Sequence, residues 1–346
     1  MPACVASPAA KPIQRVQADF IEEVPGSMHF PYSHVFTVLL LLPMHPSAQP
    51  VTIPTQFTEN MFYARPVAEN GVRLKFYTDS GGGALIYRSV VDTLHLPVLH
   101  EEIDGKNTDE VMLPRFRKDS AIPSPLGHEG KLFVLPDDQR LPIFDSDMSG
   151  LLGQQWFAGR VWTWDYPNHQ LLLRVQGDLP KVSATHRVLL GFKMNQQGQR
   201  DPSLSFARIR ATVDGRSIDL LFDTGASTMM TPQALEEIHD GHAAHRATSF
   251  IAKSIFARWH AEHPDWKVIE KAEEHTGDSM IQVPSVEIGG YTVGPVWFTE
   301  RPDKNFTQWM SQWMDKTVYG ALGGSALQYL RVTVDYRNAM AYFERP

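Results

Sequence analysis

Phe222-Asp223-Thr224-Gly225-Ala226-Ser227 ends a stretch that begins with the turn pair Asp214-Gly215 and runs through Arg216 to Leu221; far downstream stands Gly320-Ala321-Leu322-Gly323. The same order occurs earlier as Asn70-Gly71, Val72 to Tyr77, Thr78-Asp79-Ser80-Gly81 and Gly150-Leu151-Leu152-Gly153. Each turn glycine precedes its aspartate by 8 positions, as 79 − 71 and 223 − 215 show. Asn-Gly and Asp-Gly favour tight hairpin turns because the central residues need positive φ. Each aspartate is therefore expected at the end of a hairpin's second strand, where the chain enters a glycine loop. The block around Gly150 recurs without a gap: Thr163, Asp165-Tyr166 and Asn168 reappear as Thr333, Asp335-Tyr336 and Asn338, an offset of 170.

This repeat divides the chain into a leader (1–49), an N-terminal lobe (50–180) and a C-terminal lobe (181–346). Each lobe carries a hairpin, an Asp-hydroxyl-Gly loop, a variable middle, a hydrophobic-hydrophobic-Gly turn and a last hairpin. The final hairpins are Val161–Trp164 with Leu171–Arg174 and Val332–Val334 with Ala341–Phe343. Such short strands predict a mainly β fold: two similar lobes, a few short helices and a cleft between them. The predicted helices are Tyr87–Leu94 and Pro232–Ile238, the second with Thr231 as N-cap and a proline at its first position. The middles differ, 74 positions from Asp79 to Gly153 against 100 from Asp223 to Gly323. The surplus is assigned to Phe250–Glu274, where the spacing of Ile251, Ile255 and Trp259 suits an amphipathic helix.

Composition narrows the function classes. Lys+Arg is 32 and Asp+Glu 39, a net charge of −7, which disfavours a nucleic-acid partner because phosphate neutralisation needs a basic excess or stripe. The one cysteine, Cys4, excludes an internal disulfide and a cysteine zinc site. Val35–Met44 is too short for a membrane span but has the length of a signal-peptide apolar region, so the chain is expected to be secreted or periplasmic, and cytoplasmic if residues 28–49 are not a signal.

The repeated motifs resemble those of the aspartic peptidases in a two-lobed, pepsin-like arrangement. Phe222–Ser227, Gly320–Gly323 and Leu330–Tyr336 carry the resemblance in the second lobe; Thr78–Gly81 and Leu151–Gly153 carry it in the first. The second lobe alone is similar to the retropepsin-type unit of bacterial proteins. The resemblance implies an aspartic endopeptidase acting on proteins or peptides, with Asp79 and Asp223 as the catalytic pair and no cofactor or metal. It implies that Ser80 and Thr224 lock the two loops, and that Gly81 and Gly225 allow close approach of the lobes. Ser227 is a supporting loop residue. Two units in one chain make a monomer sufficient.

The first lobe departs from that pattern. Gly82-Gly83 follows Ser80-Gly81 where side-chain braces are usual, which predicts a looser loop. The expected flap, Lys118–Pro136 with its tip at Leu126–Gly130, has no tyrosine. These departures support a second reading, a catalytically degenerate pepsin-like protein that binds peptide or carbohydrate. Neither Gly82 nor Ala226 can offer a hydroxyl to its aspartate, so the pair should keep its shared proton to higher pH, with Ser227 or backbone N–H groups as substitute donors.

Other chemistry has weaker support. His239, His242 and His245 are spaced at three, with His260 and His263 beyond, and could suggest a metal-dependent hydrolase; Gly241 interrupts the helix they would need, and no HExxH occurs. Gly81-Gly82-Gly83 lacks the Lys-Ser/Thr of a phosphate loop, and Ser80 lacks a nucleophile elbow. Trp156, Trp162 and Trp164 read as core before they read as a sugar platform.

Overall fold

A computed structural model describes residues 49–346, apart from positions 104 and 202. The leader, with Val35–Met44 and Cys4, lies outside the described residues. The architecture is mainly β, with two similar lobes.

In the first lobe the sheet order is Met61–Ala64, Phe76–Thr78, Gly150–Leu152, Leu85–Tyr87, Lys131–Leu135, Lys106–Met112 and Leu99–Ile103, with Thr55–Thr58 on the outer edge. The second lobe repeats that order with Arg208–Val213, Arg216–Phe222, Gly320–Leu322, Ser249–Ala252, Val296–Arg301, Met280–Val283 and Val268–Ile269. In both, the strand that enters the aspartate loop runs parallel to the strand of the hydrophobic-hydrophobic-Gly turn: Tyr77 pairs with Leu151 and Leu221 with Ala321. These positions are buried on both faces, which explains why the sequence there is a continuous apolar run.

The lobes are joined by a six-stranded sheet. At its centre Val161–Asp165 lies antiparallel to Arg331–Asp335, and Thr163 faces Thr333. The recurring Asp and Asn close the adjoining turns. Asn168 Nδ2 donates to Asp165 at 3.1 and 3.0 Å, and Asn338 Nδ2 donates to Asp335 at 2.7 Å. Trp156, Trp162 and Trp164 are wholly buried in the main core, so they are packing residues and form no exposed stacking platform.

The predicted helices form as Arg88–Leu94 and Pro232–Ile238, and Thr231 Oγ1 accepts from the Ala234 N–H at 3.2 Å. A third helix, Lys253–Glu262, buries Ile255, Phe256 and Trp259. The Asp214-Gly215 turn has positive φ at both residues, 50° and 68°; in the first lobe only Gly71 does.

The surplus length of the second lobe lies elsewhere than expected. Six positions separate Asp79 from the strand at Leu85, but twenty-six separate Asp223 from its equivalent at Ser249. The inserted segment is Ser227–Met229, the helix Pro232–Ile238 and the strand His245–Ala247. The helix at Lys253 replaces one that follows the matching strand of the first lobe, so it accounts for little of the surplus. The inserted segment folds onto the other lobe: the Ala247 N–H donates to the Glu59 carbonyl at 3.0 Å and the Ala243 N–H to Glu59 Oε1 at 3.1 Å.

Candidate functional site

Both aspartates stand where the parallel strand pair ends. Their backbone N–H groups donate to the carbonyls of Leu152 and Leu322, each at 3.0 Å, so the hydrophobic-hydrophobic-Gly turn anchors the loop. Each loop then folds back on its own carboxyl: the Gly81 N–H donates to Asp79 Oδ1 at 2.9 Å and the Gly225 N–H to Asp223 Oδ1 at 3.0 Å.

The loops are locked to each other by Ser80 and Thr224. Ser80 Oγ donates to the Phe222 carbonyl at 2.8 Å and accepts the Thr224 N–H at 3.0 Å. Reciprocally, Thr224 Oγ1 accepts the Ser80 N–H at 3.2 Å and donates to the Thr78 carbonyl at 3.4 Å. A Cβ on Gly81 would stand 2.4 Å from Asp223 Cγ, and one on Gly225 would stand 2.3 Å from Asp79 Cγ. No side chain fits at either position, which is the reason glycine is needed there.

The carboxyls of Asp79 and Asp223 lie close enough to shift each other's proton affinity. Asp223 is 9% exposed and Asp79 is somewhat more open, so the pair lies at the floor of the cleft. Burial raises the Asp79 pKa, opposed by the neighbouring Asp223 carboxyl and by the Gly81 and Gly82 N–H groups. Burial together with the charge of Asp79 raises Asp223 well above the ordinary carboxyl value, opposed by the Gly225 and Ala226 N–H groups. Two adjacent buried carboxyls cannot readily both ionise, so the pair holds a proton that isolated aspartates would have lost.

Two expectations about the loops are corrected. The Gly82-Gly83 loop is not unbraced: the Gln154 N–H donates to the Gly82 carbonyl at 2.9 Å, and Gln155 Oε1 accepts from the Ala84 N–H at 3.0 Å. Gln154 Oε1 also accepts the Ser205 N–H at 2.6 Å, tying the brace to the second lobe. Gly82 itself is dictated by space, because a Cβ there would lie 2.3 Å from Asp79 Oδ2. Ser227 does not serve Asp223. Its Oγ bonds His245 Nε2 at 3.2 Å, while the Gly225 N–H serves the carboxyl.

The flap expectation also changes. The Leu126–Gly130 tip is fastened to the short helix Gln154–Phe157, with the Gly127 N–H on the Gln155 carbonyl at 3.1 Å and Trp156 Nε1 on the Pro123 carbonyl at 2.7 Å. A tyrosine that the sequence reading did not single out reaches the site from below. Tyr77 is 1% exposed, and its hydroxyl donates to the Gly225 carbonyl at 3.0 Å. Burial raises its pKa, and Asp79 adds to the rise, so it stays a neutral donor. Its place two residues before Asp79 was the available signal.

The histidines do not converge. His239 Nδ1 bonds the Glu236 carbonyl, His242 faces Glu59 Oε2 at 2.9 Å, and His245 bonds Ser227. Burial lowers the His245 pKa. A different group, Asp214, Glu262 and His263, brings three possible ligand atoms together, but Glu262 is already held by Arg216 at 3.0 and 2.8 Å.

No family model and no curated protein matches the chain. Among solved structures, it is similar to conglutin gamma, a basic 7S globulin from lupine seeds, at 11% identity over 86% of this chain and 95% of that one, with a TM-score of 0.43. It is also similar to basic 7S globulin from soybean, at 10% identity over 86% and 96%, with a TM-score of 0.45. These findings correct the resemblance to bacterial retropepsin-type aspartic peptidases: the neighbours are seed globulins. The physical reason is that Asp-hydroxyl-Gly and its partner turn encode a loop and a brace. Those are properties of a fold, and a fold does not carry a function with it.

Proposed function

We propose that the paired carboxyls hydrolyse peptide bonds, so that the protein is an aspartic-type endopeptidase. The observation that carries this reading is the reciprocal arrangement of Asp79 and Asp223, each carboxyl seated against the opposite loop's glycine. In this reading the pair holds one proton. The ionised carboxyl takes a proton from a water as its oxygen attacks the scissile carbonyl carbon. The protonated one donates to the carbonyl oxygen, giving a tetrahedral diol. Collapse of the diol breaks the C–N bond, with a proton passed to the leaving amine, and the pair ends with the one proton it began with.

The shell suits that work. Backbone N–H groups hold the carboxyls without bringing further charge, and the Ser80–Thr224 lock limits their relative drift.

A second reading, a pepsin-like protein that binds peptides without cleaving them, draws on the tip of Lys118–Pro136. Its attachment to the helix at Gln154, with no tyrosine, leaves this segment without the substrate cover expected of it. The two readings separate on incubation with an unfolded protein and a statine-type peptide. A hydrolase yields fragments, statine stops the reaction, and EDTA leaves it unchanged. A binding protein retains the peptide and yields no fragments.

A further inference from the structure

The backbone bonds around the carboxyl pair recur in both lobes. The Asp79 and Asp223 N–H groups are each anchored at 3.0 Å, on Leu152 and Leu322. The Gly82 and Ala226 N–H groups close the loops onto the Asp79 and Asp223 carbonyls at 3.2 and 3.3 Å. One bond breaks the match. Tyr77 Oη donates to the Gly225 carbonyl at 3.0 Å, crossing from the first lobe to the second. Tyr77 stands opposite Leu151, and the residue in the same register of the second lobe, opposite Ala321, is Leu221. Leucine has no hydroxyl to return to Gly81.

The Tyr77 hydroxyl is carried on a fixed arm. Its ring is 1% exposed and packs against the rings of Tyr63 and Phe144, with centres at 5.2 and 5.1 Å. The same apolar cluster includes Leu151 of the turn strand and Ala247 of the second lobe's inserted segment. A buried phenol needs a partner for its O–H, and here the partner is a carbonyl of the opposite lobe. The other polar groups around the cluster are engaged elsewhere. The Tyr63 hydroxyl faces Met61 Sδ at 3.8 Å, and Ser227 Oγ bonds His245 Nε2 at 3.2 Å. Lys75, over the Tyr63 ring, is paired with Asp145 and Asp147 at 3.1 and 2.9 Å.

Gly225 is in contact with both carboxyls. Its N–H donates to Asp223 Oδ1 at 3.0 Å, and its Cα faces Asp79, since a Cβ there would stand 2.3 Å from Asp79 Cγ. Close approach demands glycine, and glycine has the most permissive backbone of any residue. A residue that must be glycine for space therefore has to be held in place by something else.

We propose that Tyr77 is a positioning residue for the carboxyl pair. Its hydroxyl pins Gly225 from the opposite lobe, so that the Gly225 N–H stays on Asp223 and the loop keeps its seat against Asp79. Because Leu221 does nothing equivalent for Gly81, the pair is held more firmly on one side than on the other. The inference deepens the hydrolase reading and rests on it for the kinetic arm of its test alone. A fixed donor to the ionised carboxyl favours the loss of its proton, so loosening that donor makes the pair keep its shared proton to higher pH.

The test compares wild type with Tyr77→Phe, which keeps the ring and removes the bond. Tyr63→Phe, which removes a hydroxyl of the same cluster that does not reach the loops, is the structural control. A third protein, with 3-fluorotyrosine in place of Tyr77, keeps the hydroxyl and makes it a stronger donor. Tyr77→Phe should lower kcat about tenfold with KM within about twofold, because the donor is misplaced while substrate contacts are untouched. The upper limb of its pH–rate profile should move toward higher pH by about half a unit, and the fluorinated protein's limb should move toward acid. Tyr63→Phe should keep the wild-type profile. A limb that stays in place in both Tyr77 proteins, whatever happens to kcat, or one that moves equally in Tyr63→Phe, overturns the inference while the hydrolase reading stands. If wild type cleaves nothing, the hydrolase reading fails and the titration of carbon-13-labelled aspartates decides for Tyr77. The pair's upper titration displaced in the Tyr77 proteins and not in Tyr63→Phe supports the inference; coincident titrations overturn it.

Discussion

Thr163 and Thr333 meet hydroxyl to hydroxyl at 2.7 Å where the two lobes join, and they are 170 positions apart, the offset of the sequence repeat itself. Each is the residue that faces the other in the central strand pair, so the axis relating the lobes passes between them. Thr163 Oγ1 also accepts from Arg174 Nε at 2.7 Å, which makes the site asymmetric in its donors.

Removing the hydroxyls should reveal that asymmetry. Thr163→Val strands both Thr333 Oγ1 and Arg174 Nε in a buried setting, whereas Thr333→Val leaves Thr163 its arginine. An unsatisfied buried polar group costs about 1–3 kcal/mol. Urea unfolding should show Thr163→Val to be the more destabilising; equal losses, or the reverse order, would contradict this account of the axis.

The carboxyl pair should also register in stability. Both folded-state pKa values lie above the ordinary 3.8, because of burial and, for Asp223, the charge of Asp79. Above that pH the folded state holds more protons than the unfolded chain, so the pair's contribution is full below 3.8 and is lost as pH rises through the folded values. Asp223→Asn removes the share of this loss that Asp223 carries. Its Tm should exceed that of wild type at pH 7, with the gap closing toward pH 4. A gap that is absent, or widest in acid, would mean the carboxyls are not coupled as described.

Activity should peak in mildly acidic to near-neutral conditions, because the shared proton is retained beyond the range of isolated carboxyls. A hydroxyl donor to the ionised carboxyl would release it earlier. Ala226→Ser, at a site where the native side chain is 1% exposed, should move the upper limb of the pH–rate profile toward acid. Gly82→Ser should instead remove activity, since its Cβ would collide with Asp79 Oδ2. An unchanged limb in Ala226→Ser, or an active Gly82→Ser enzyme, would show that these two positions do not govern the pair.

The repeat made the two-lobed β fold legible, because the Asp-hydroxyl-Gly loops, the Gly-containing turns and the Asp…Asn corners each have a local conformational cause. The helix at Pro232 was readable for the same reason: Thr231 and Pro232 act within one turn. What escaped the sequence depends on contacts between distant segments. The insertion at 227–248 could not be separated from ordinary middle-lobe length, since its partner is the Glu59 turn of the other lobe. The bracing of Gly82 comes from Gln154 and Gln155, more than seventy positions away. The cavity of about 690 Å³ that reaches Asp223 is lined by the π-helical turn Asn305–Trp309, which has no periodic signature in the chain. Tyr77 read as one more strand residue because only the fold brings it to Gly225.

The most direct test of the central claim is cleavage of an unfolded protein by wild type, Asp79→Asn and Asp223→Asn, each confirmed as folded by its unfolding transition. One shared proton-transfer task predicts fragments from wild type and none from either variant. Fragments from the Asp79→Asn protein, or none from wild type across the acidic to neutral range, would contradict it.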